Sequence, residues 1–377
     1  MPDPSTASYL GVPGFLLLWI IALVSFFLFA LRLVRYGQVL ARARPDPRWG
    51  DFAQRLSLVI AQVFGQRRLL NEAVIGAAHF LIFWAFVFYA AGFFWNLLAG
   101  LLPFLSLPYA DDVRWMAFAM EALGALALLG LVVAAARRYA FTPPRLEQSR
   151  DAGVILGLIT LVLLTFLLGQ GAKAVAEEPA RAWMPGGALF GQALAWLGLS
   201  VEGARWMYVA MWWLHMVTVL GFLAYLPYSK HLHLLASPFG VWFASLQPGA
   251  MPAGSSGAAR LEDFTWRQLF SGLACAECGR CDRVCPALNA GFELSPKMLI
   301  HHVKELVFAA VAHQGRTARA SGSAVTSAAG PAEAAPPVPT DGSEPVEVQE
   351  AMRRLVRPEE IWACTTCSAC MEQCPVF

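Results

Sequence analysis

Apolar residues gather in five long runs, near Gly11–Leu31, Ala73–Leu98, Trp115–Ala136, Ala152–Gly171 and Trp206–Tyr228. Each is poor in charge and reaches the ~20 residues an α-helix needs to cross a bilayer. Runs of this length and number predict five transmembrane helices rather than the buried helices of a soluble core. After Tyr228 the pattern changes. Leu246–Ala259 is rich in Pro, Gly and Ser and reads as linker. Ser295 and Pro296 form an N-cap and first helical position. Met298, Leu299, Val303, Leu306, Val307 and Ala310 then recur at helical spacing, and Pro358–Trp362 suits another short helix. Between Gln314 and Val346 the chain is Ala/Ser/Gly/Pro-rich without any period, which predicts disorder. The expected domains are 1–235 in the membrane, a linker over 236–260, and a domain over 261–377 with the insert 314–346.

Composition agrees: 57% of residues are hydrophobic and 14% charged, with mean hydropathy +0.52. The net charge of +2 says little about partners. Orientation follows from arginine placement. Eight arginines lie between Arg32 and Arg68, and four follow the third run (Arg137, Arg138, Arg145, Arg150). The other side has only Arg114, Lys173, Arg181 and Arg205, mixed with Asp111, Asp112, Glu177, Glu178 and Glu202. The expected protein is multi-pass in the cytoplasmic (inner) membrane, N-terminus outside, with everything after Tyr228 cytoplasmic. No Lys or Arg precedes the first run, so it does not read as a signal peptide.

All eight cysteines fall in two runs, CAECGRCDRVCP (275–286) and CTTCSACMEQCP (364–375). Each is Cys-x2-Cys-x2-Cys-x3-Cys-Pro, the spacing of [4Fe–4S] ligands. In two-cluster ferredoxins the fourth cysteine of a run binds the other cluster. That pattern assigns Cys275, Cys278, Cys281 and Cys374 to one cluster, and Cys364, Cys367, Cys370 and Cys285 to the second. Cys-x2-Cys pairs also bind zinc, but two identical four-cysteine runs each closed by proline favour iron–sulfur. The expected fold is therefore all-α: a five-helix transmembrane bundle followed by a helical two-[4Fe–4S] ferredoxin-like domain with a disordered insert.

Ionisable residues within spans point to function. His79 and His215 lie roughly 16 and 22 Å from the inner face by helical rise from Arg68 and Lys230, similar depths that suit axial ligation of one haem b. His233, eighteen residues after His215, would share its face if the helix continued and is a candidate ligand of a second haem. The competing reading pairs His231 with His233 at the interface beside Lys230. Glu121, seven residues inside the third span, is either a proton relay or a structurally buried carboxylate.

At these residues the chain resembles the haem-bearing gamma subunit of respiratory nitrate reductase, although Leu69 stands where that family has a second histidine on this span. FGQRRLL (64–70), GAAHF (76–80), YSKHLHLLASPF (228–239), LEDFTWRQL (261–269) and CTTCSAC (364–370) are more similar still to fused membrane iron–sulfur oxidoreductases. In those, such a module precedes a heterodisulfide-reductase-like part, and some are electron-transfer-flavoprotein:menaquinone oxidoreductases. The resemblance implies a quinone-linked iron–sulfur oxidoreductase. Electrons would pass from a cytoplasmic partner such as electron-transfer flavoprotein, through two [4Fe–4S] clusters and haem b, to menaquinone. The partners implied are lipid, quinone and that redox protein, not nucleic acid. The alternatives are a quinol-oxidising module feeding a disulfide or sulfur-compound reductase, and a non-catalytic membrane anchor. The family continues into Cys-Cys-Gly modules that are absent before Phe377, so a truncated or separately completed chain is expected.

Overall fold

In a computed structural model the chain is almost wholly helical. The structure describes all residues except 1–3, 145, 147, 178–182, 248–256, 324–344, 356 and 377. Arg145, Glu178 and Arg181, the middle of the expected linker and most of the expected insert therefore lie outside the described residues. In chain order a two-residue hairpin (β1, Ser8–Tyr9; β2, Val12–Pro13) precedes α1 (Gly14–Ala41), α2 (Phe52–Val59, prolonged by a π turn over Ile60–Phe64) and α3 (Ala73–Leu101). Then come α4 (Arg114–Ala135), α5 (Arg150–Ala176), α6 (Pro185–Trp196), α7 (Val201–Tyr225) and α8 (His233–Trp242). The last are α9 (Trp266–Ala274), α10 (Arg280–Val284), α11 (Pro296–Ser323), α12 (Val346–Leu355) and α13 (Ala369–Gln373).

The chain divides into two compact units. The first contains Met1–Ala30 and Leu69–Ser229, hence α3 to α7 and the first half of α1. Among the described residues five helices are long and apolar enough to cross a membrane: Gly14–Ala41, Ala73–Leu101, Arg114–Ala140, Arg150–Ala176 and Val201–Tyr228. Each contains most of one expected run. Ser149 and Ser200 start α5 and α7, their hydroxyls accepting the amides of Ala152 (3.4 Å) and Gly203 (3.1 Å). α3 packs on α4, and α5 on α6 and α7. Small residues permit the approach: a Cβ on Gly124 would stand 2.5 Å from the Tyr89 hydroxyl, and one on Gly171 2.8 Å from Phe190 Cβ.

The second unit joins Leu31–Arg68 to Lys230–Phe377. Residues 31–68, expected with the membrane domain, thus fold with the cysteine runs. Backbone bonds tie them there: the Arg44 amide donates to Phe264 O (2.8 Å) and the Trp266 amide to Arg44 O (3.0 Å). The core gathers Val39 of α1, Leu261, Leu269 of α9, and Leu306, Val307 and Val311 of α11, all fully buried. The stripe read from Met298 to Ala310 supplies much of it, and Ser295 Oγ caps α11 by accepting the Met298 amide at 3.1 Å. α11 runs on to Ser323, past the start of the expected insert.

The first part of the expected linker is helix α8. Its last carbonyls lack helical partners and are taken by three arginines. Arg55 Nη1 donates to Trp242 O (2.7 Å) and Ala244 O (3.1 Å), and Arg48 Nη1 to Phe243 O (3.0 Å). Arg267 donates through Nε to Phe243 O (3.0 Å) and through Nη2 to Gly240 O (2.9 Å). Cations suit the negative end of a helix. Burial brings Arg267 down to about 10, which still leaves it charged at neutral pH.

Candidate functional site

The two cysteine runs repeat one backbone shape. Glu277 and Gly279 have φ of +55° and +73°; their counterparts Thr366 and Ser368 have +53° and +60°. Three of these are not glycine, and left-handed backbone at such residues costs on the order of 1–3 kcal/mol unless its surroundings impose it. The turn brings an amide back to sulfur in both runs: Glu277 N donates to Cys275 Sγ and Thr366 N to Cys364 Sγ, each at 3.4 Å. Such bonds to cluster sulfurs tune reduction potential. A five-residue helix follows in each run, α10 and α13, and delivers Cys285 and Cys374 in extended backbone.

The sulfurs mix across the runs. Burial pushes the Cys275 thiol up to about 12, and the neighbouring Cys374 and Cys278 add to the rise. Cys281 is raised by burial, then by Asp282, Cys278, Cys275 and Cys374. Cys370 is raised by burial, with Cys364 and Cys285 contributing. Cys374 thus stands near Cys275 and Cys281 of the other run, and Cys285 near Cys370. Among the described residues no three His, Cys, Asp or Glu side chains could hold a single metal ion. A cubane places its four thiolates on four separate irons, so its ligands stand wider apart than those of one zinc ion.

Residues with no cysteine signature hold this arrangement. Arg68 Nη1 donates to Met371 O (3.0 Å) and Cys374 O (2.9 Å), and Nη2 lies 3.4 Å from Glu372 Oε2. Arg280, inside the first run, donates to Arg68 O at 2.7 Å. Arg68 therefore links both runs, although in sequence it is only one of eight arginines in its stretch. Within the first loop, Glu277 meets Lys304 at 2.8 Å, His301 at 3.8 Å and Lys230 at 4.0 Å. Burial raises its carboxyl, but these cations, Lys304 foremost, hold it below the usual range.

His233 belongs to that neighbourhood. Burial lowers its pKa, its Nδ1 lies 2.8 Å from Lys230 O, and Lys304, Glu277 and Lys230 are its charged neighbours. The His231 ring packs against it at 5.4 Å. The two imidazoles thus lie together beside Lys230.

In the membrane unit His79 and His215 are both half-buried, on α3 and α7. His215 Nδ1 lies 3.2 Å from Val162 O and 3.0 Å from Thr165 Oγ1, contacts that fix the ring. Counted from the nearer helix ends, His79 is six residues inside α3 and His215 ten inside α7, about one helical turn apart in depth. Glu121 has a structural partner. Its two carboxylate oxygens accept the amides of Gly186 and Gly187, each at 2.7 Å, at the start of α6. The first amides of a helix lack internal partners and favour an anion. Neither α6 nor this cap has a signature in the sequence of the third span.

Residues 269–375 match the family model "4Fe-4S dicluster domain". The chain is 32% identical over 340 residues to the "probable iron-sulfur-binding oxidoreductase FadF" of Bacillus subtilis, covering 86% of this chain and 48% of the relative. It is 30% identical over 390 residues to the "EtfAB:quinone oxidoreductase" of Syntrophomonas wolfei, covering 97% and 53%. The chain is a relative of the fused membrane iron–sulfur oxidoreductases. Over 121 residues it is 40% identical to a "probable membrane-anchored ferredoxin" of Chromohalobacter salexigens, covering 32% and 16%. The chain spans about half the length of the first two relatives. No solved structure matches. The chain thus combines helices long and apolar enough to cross a membrane with a 4Fe-4S dicluster domain.

Proposed function

We propose that this chain carries electrons between a cytoplasmic redox partner and the quinone pool. The partner fitting the name of the Syntrophomonas relative is electron-transfer flavoprotein and the acceptor a quinone; the family resemblance makes that quinone menaquinone. The carrying observation is the cross-pairing of sulfurs, Cys374 with the first run and Cys285 with the second, in a chain with five spanning helices. It supports Cys275, Cys278, Cys281 and Cys374 as ligands of one [4Fe–4S] cluster, and Cys364, Cys367, Cys370 and Cys285 as ligands of the other. Clusters and a haem would supply one-electron chemistry. The protein's part is to hold them. His79 and His215 are the residues that would hold one haem b. The held Nδ1 of His215 supports this reading, since a ligating histidine is oriented through its other nitrogen. His233 is assigned to the surroundings of the first cysteine run, and Glu121 to fixing α6. The orientation that suits the arginines places the N-terminus outside and the cysteine unit in the cytoplasm.

The test is metal and haem content of detergent-purified protein, followed by reduction with electron-transfer flavoprotein. About eight non-haem irons, one haem b lost in both His79→Ala and His215→Ala, and quinone-dependent reoxidation are expected. Intact iron without haem would sink the quinone-linked reading and leave a membrane-tethered ferredoxin.

A further inference from the structure

Helix α2 turns one face to the protein and another outward. One face is satisfied: Arg55 turns inward with 5% exposure, and α2 packs on α8. The other carries Leu56, Ile60 and Phe64, 40%, 56% and 42% exposed, with Phe52, 64% exposed, at its edge beside Trp242 of α8. Trp49 extends this face at 75% exposure, beside Phe243, and Phe239 of α8 is 59% exposed. A helix facing water presents polar residues on its outer side, and a contiguous apolar patch marks an interaction surface.

We propose that this face lies in lipid, with α2 resting in the headgroup–acyl boundary of the membrane. Chain connectivity selects lipid over a protein partner. α2 sits between the first and second spanning helices, and Phe64 is nine residues before Ala73 starts α3, so both of its ends are tied to membrane-crossing segments. The residue types agree. Exposed Arg44 and Arg67 flank the face in sequence and suit anionic headgroups, and tryptophan is enriched at the interface. Helices that combine an apolar face with basic flanks bind in this plane. The second unit would then hold the membrane by its own surface, independently of any haem or quinone chemistry.

The test places photoreactive p-benzoylphenylalanine in the full-length protein, in native membranes, replacing Phe52, Ile60 or, as a control, exposed Arg353 of α12. Non-haem iron confirms that each variant is folded. Phospholipid adducts from the probes at Phe52 and Ile60, and none from Arg353, are expected. A protein adduct at Phe52 and Ile60 would overturn the proposal in favour of a docking surface. Absence of any adduct there, while a probe replacing Trp84 in the second span labels lipid, would overturn it in favour of a water-facing patch.

Discussion

Arg68→Gln should loosen the second cysteine run without unfolding the protein. The guanidinium is 17% exposed and gives hydrogen bonds of 3.0 and 2.9 Å to the carbonyls of Met371 and Cys374. A hydrogen bond from a charged donor contributes about 1.5–3 kcal/mol, so losing both costs roughly 3–6 kcal/mol of local order. The ion pair with Glu372 adds almost nothing, because Glu372 is 66% exposed. At 1.4 kcal/mol per decade, the held position of Cys374 becomes about a hundredfold or more less favoured. If Cys374 completes the first cluster, that cluster should shed its fourth iron. Purified Arg68→Gln protein would then contain less non-haem iron and show the electron paramagnetic resonance signal of an oxidised three-iron cluster. Arg68→Lys, which keeps charge but not the paired donors, should fall between. Unchanged iron, spectrum and midpoint potential in Arg68→Gln would refute the reasoning.

Glu121→Gln replaces one of two acceptors at the start of α6 with a donor, and should cost about 2–4 kcal/mol; a large turnover defect with an unchanged melting curve would instead restore the proton relay. Lys304→Met leaves Glu277, 13% exposed, without its 2.8 Å partner. Breaking such a pair costs about 3 kcal/mol, which thermal unfolding of purified protein would register. Gly171→Leu must push α5 from α6, since even a Cβ would lie 2.8 Å from Phe190 Cβ; reduced membrane yield is the readout. The amides of Ala259 and Arg260 hold the Asp263 carboxyl below its ordinary value. A lowered folded pKa contributes stability above the ordinary carboxylate value and loses it as pH falls through the folded one. The melting difference between wild type and Asp263→Asn should therefore shrink below about pH 4.

The spans and cysteine runs were legible because each depends on local spacing: run length for the first, ligand interval for the second. Ser295 and the stripe to Ala310 were legible for the same reason. Long-range partners leave no local mark. Nothing near Glu121 announces that two amides sixty-five residues away need an anion, and nothing near Arg68 announces the carbonyls of Met371 and Cys374. The domain boundary shifted because α1 continues past Leu31 into a second core, with Tyr36 and Val39 buried there. Helical periodicity does not change where a helix leaves one core for another.

The arginines at the end of α8 come from distant parts of the chain, and synthesis is directional. Arg55 leaves the ribosome 187 residues before Trp242, whose carbonyl it will hold. At 5–20 residues per second that gap lasts about 10–40 s. Through this interval four more spans are made while Arg48 and Arg55 wait without their acceptors in α8. The segment between the first two spans thus cannot mature with the helices beside it in sequence. Its folding is completed only when the last span has been made, which ties the order of assembly to the order of translation.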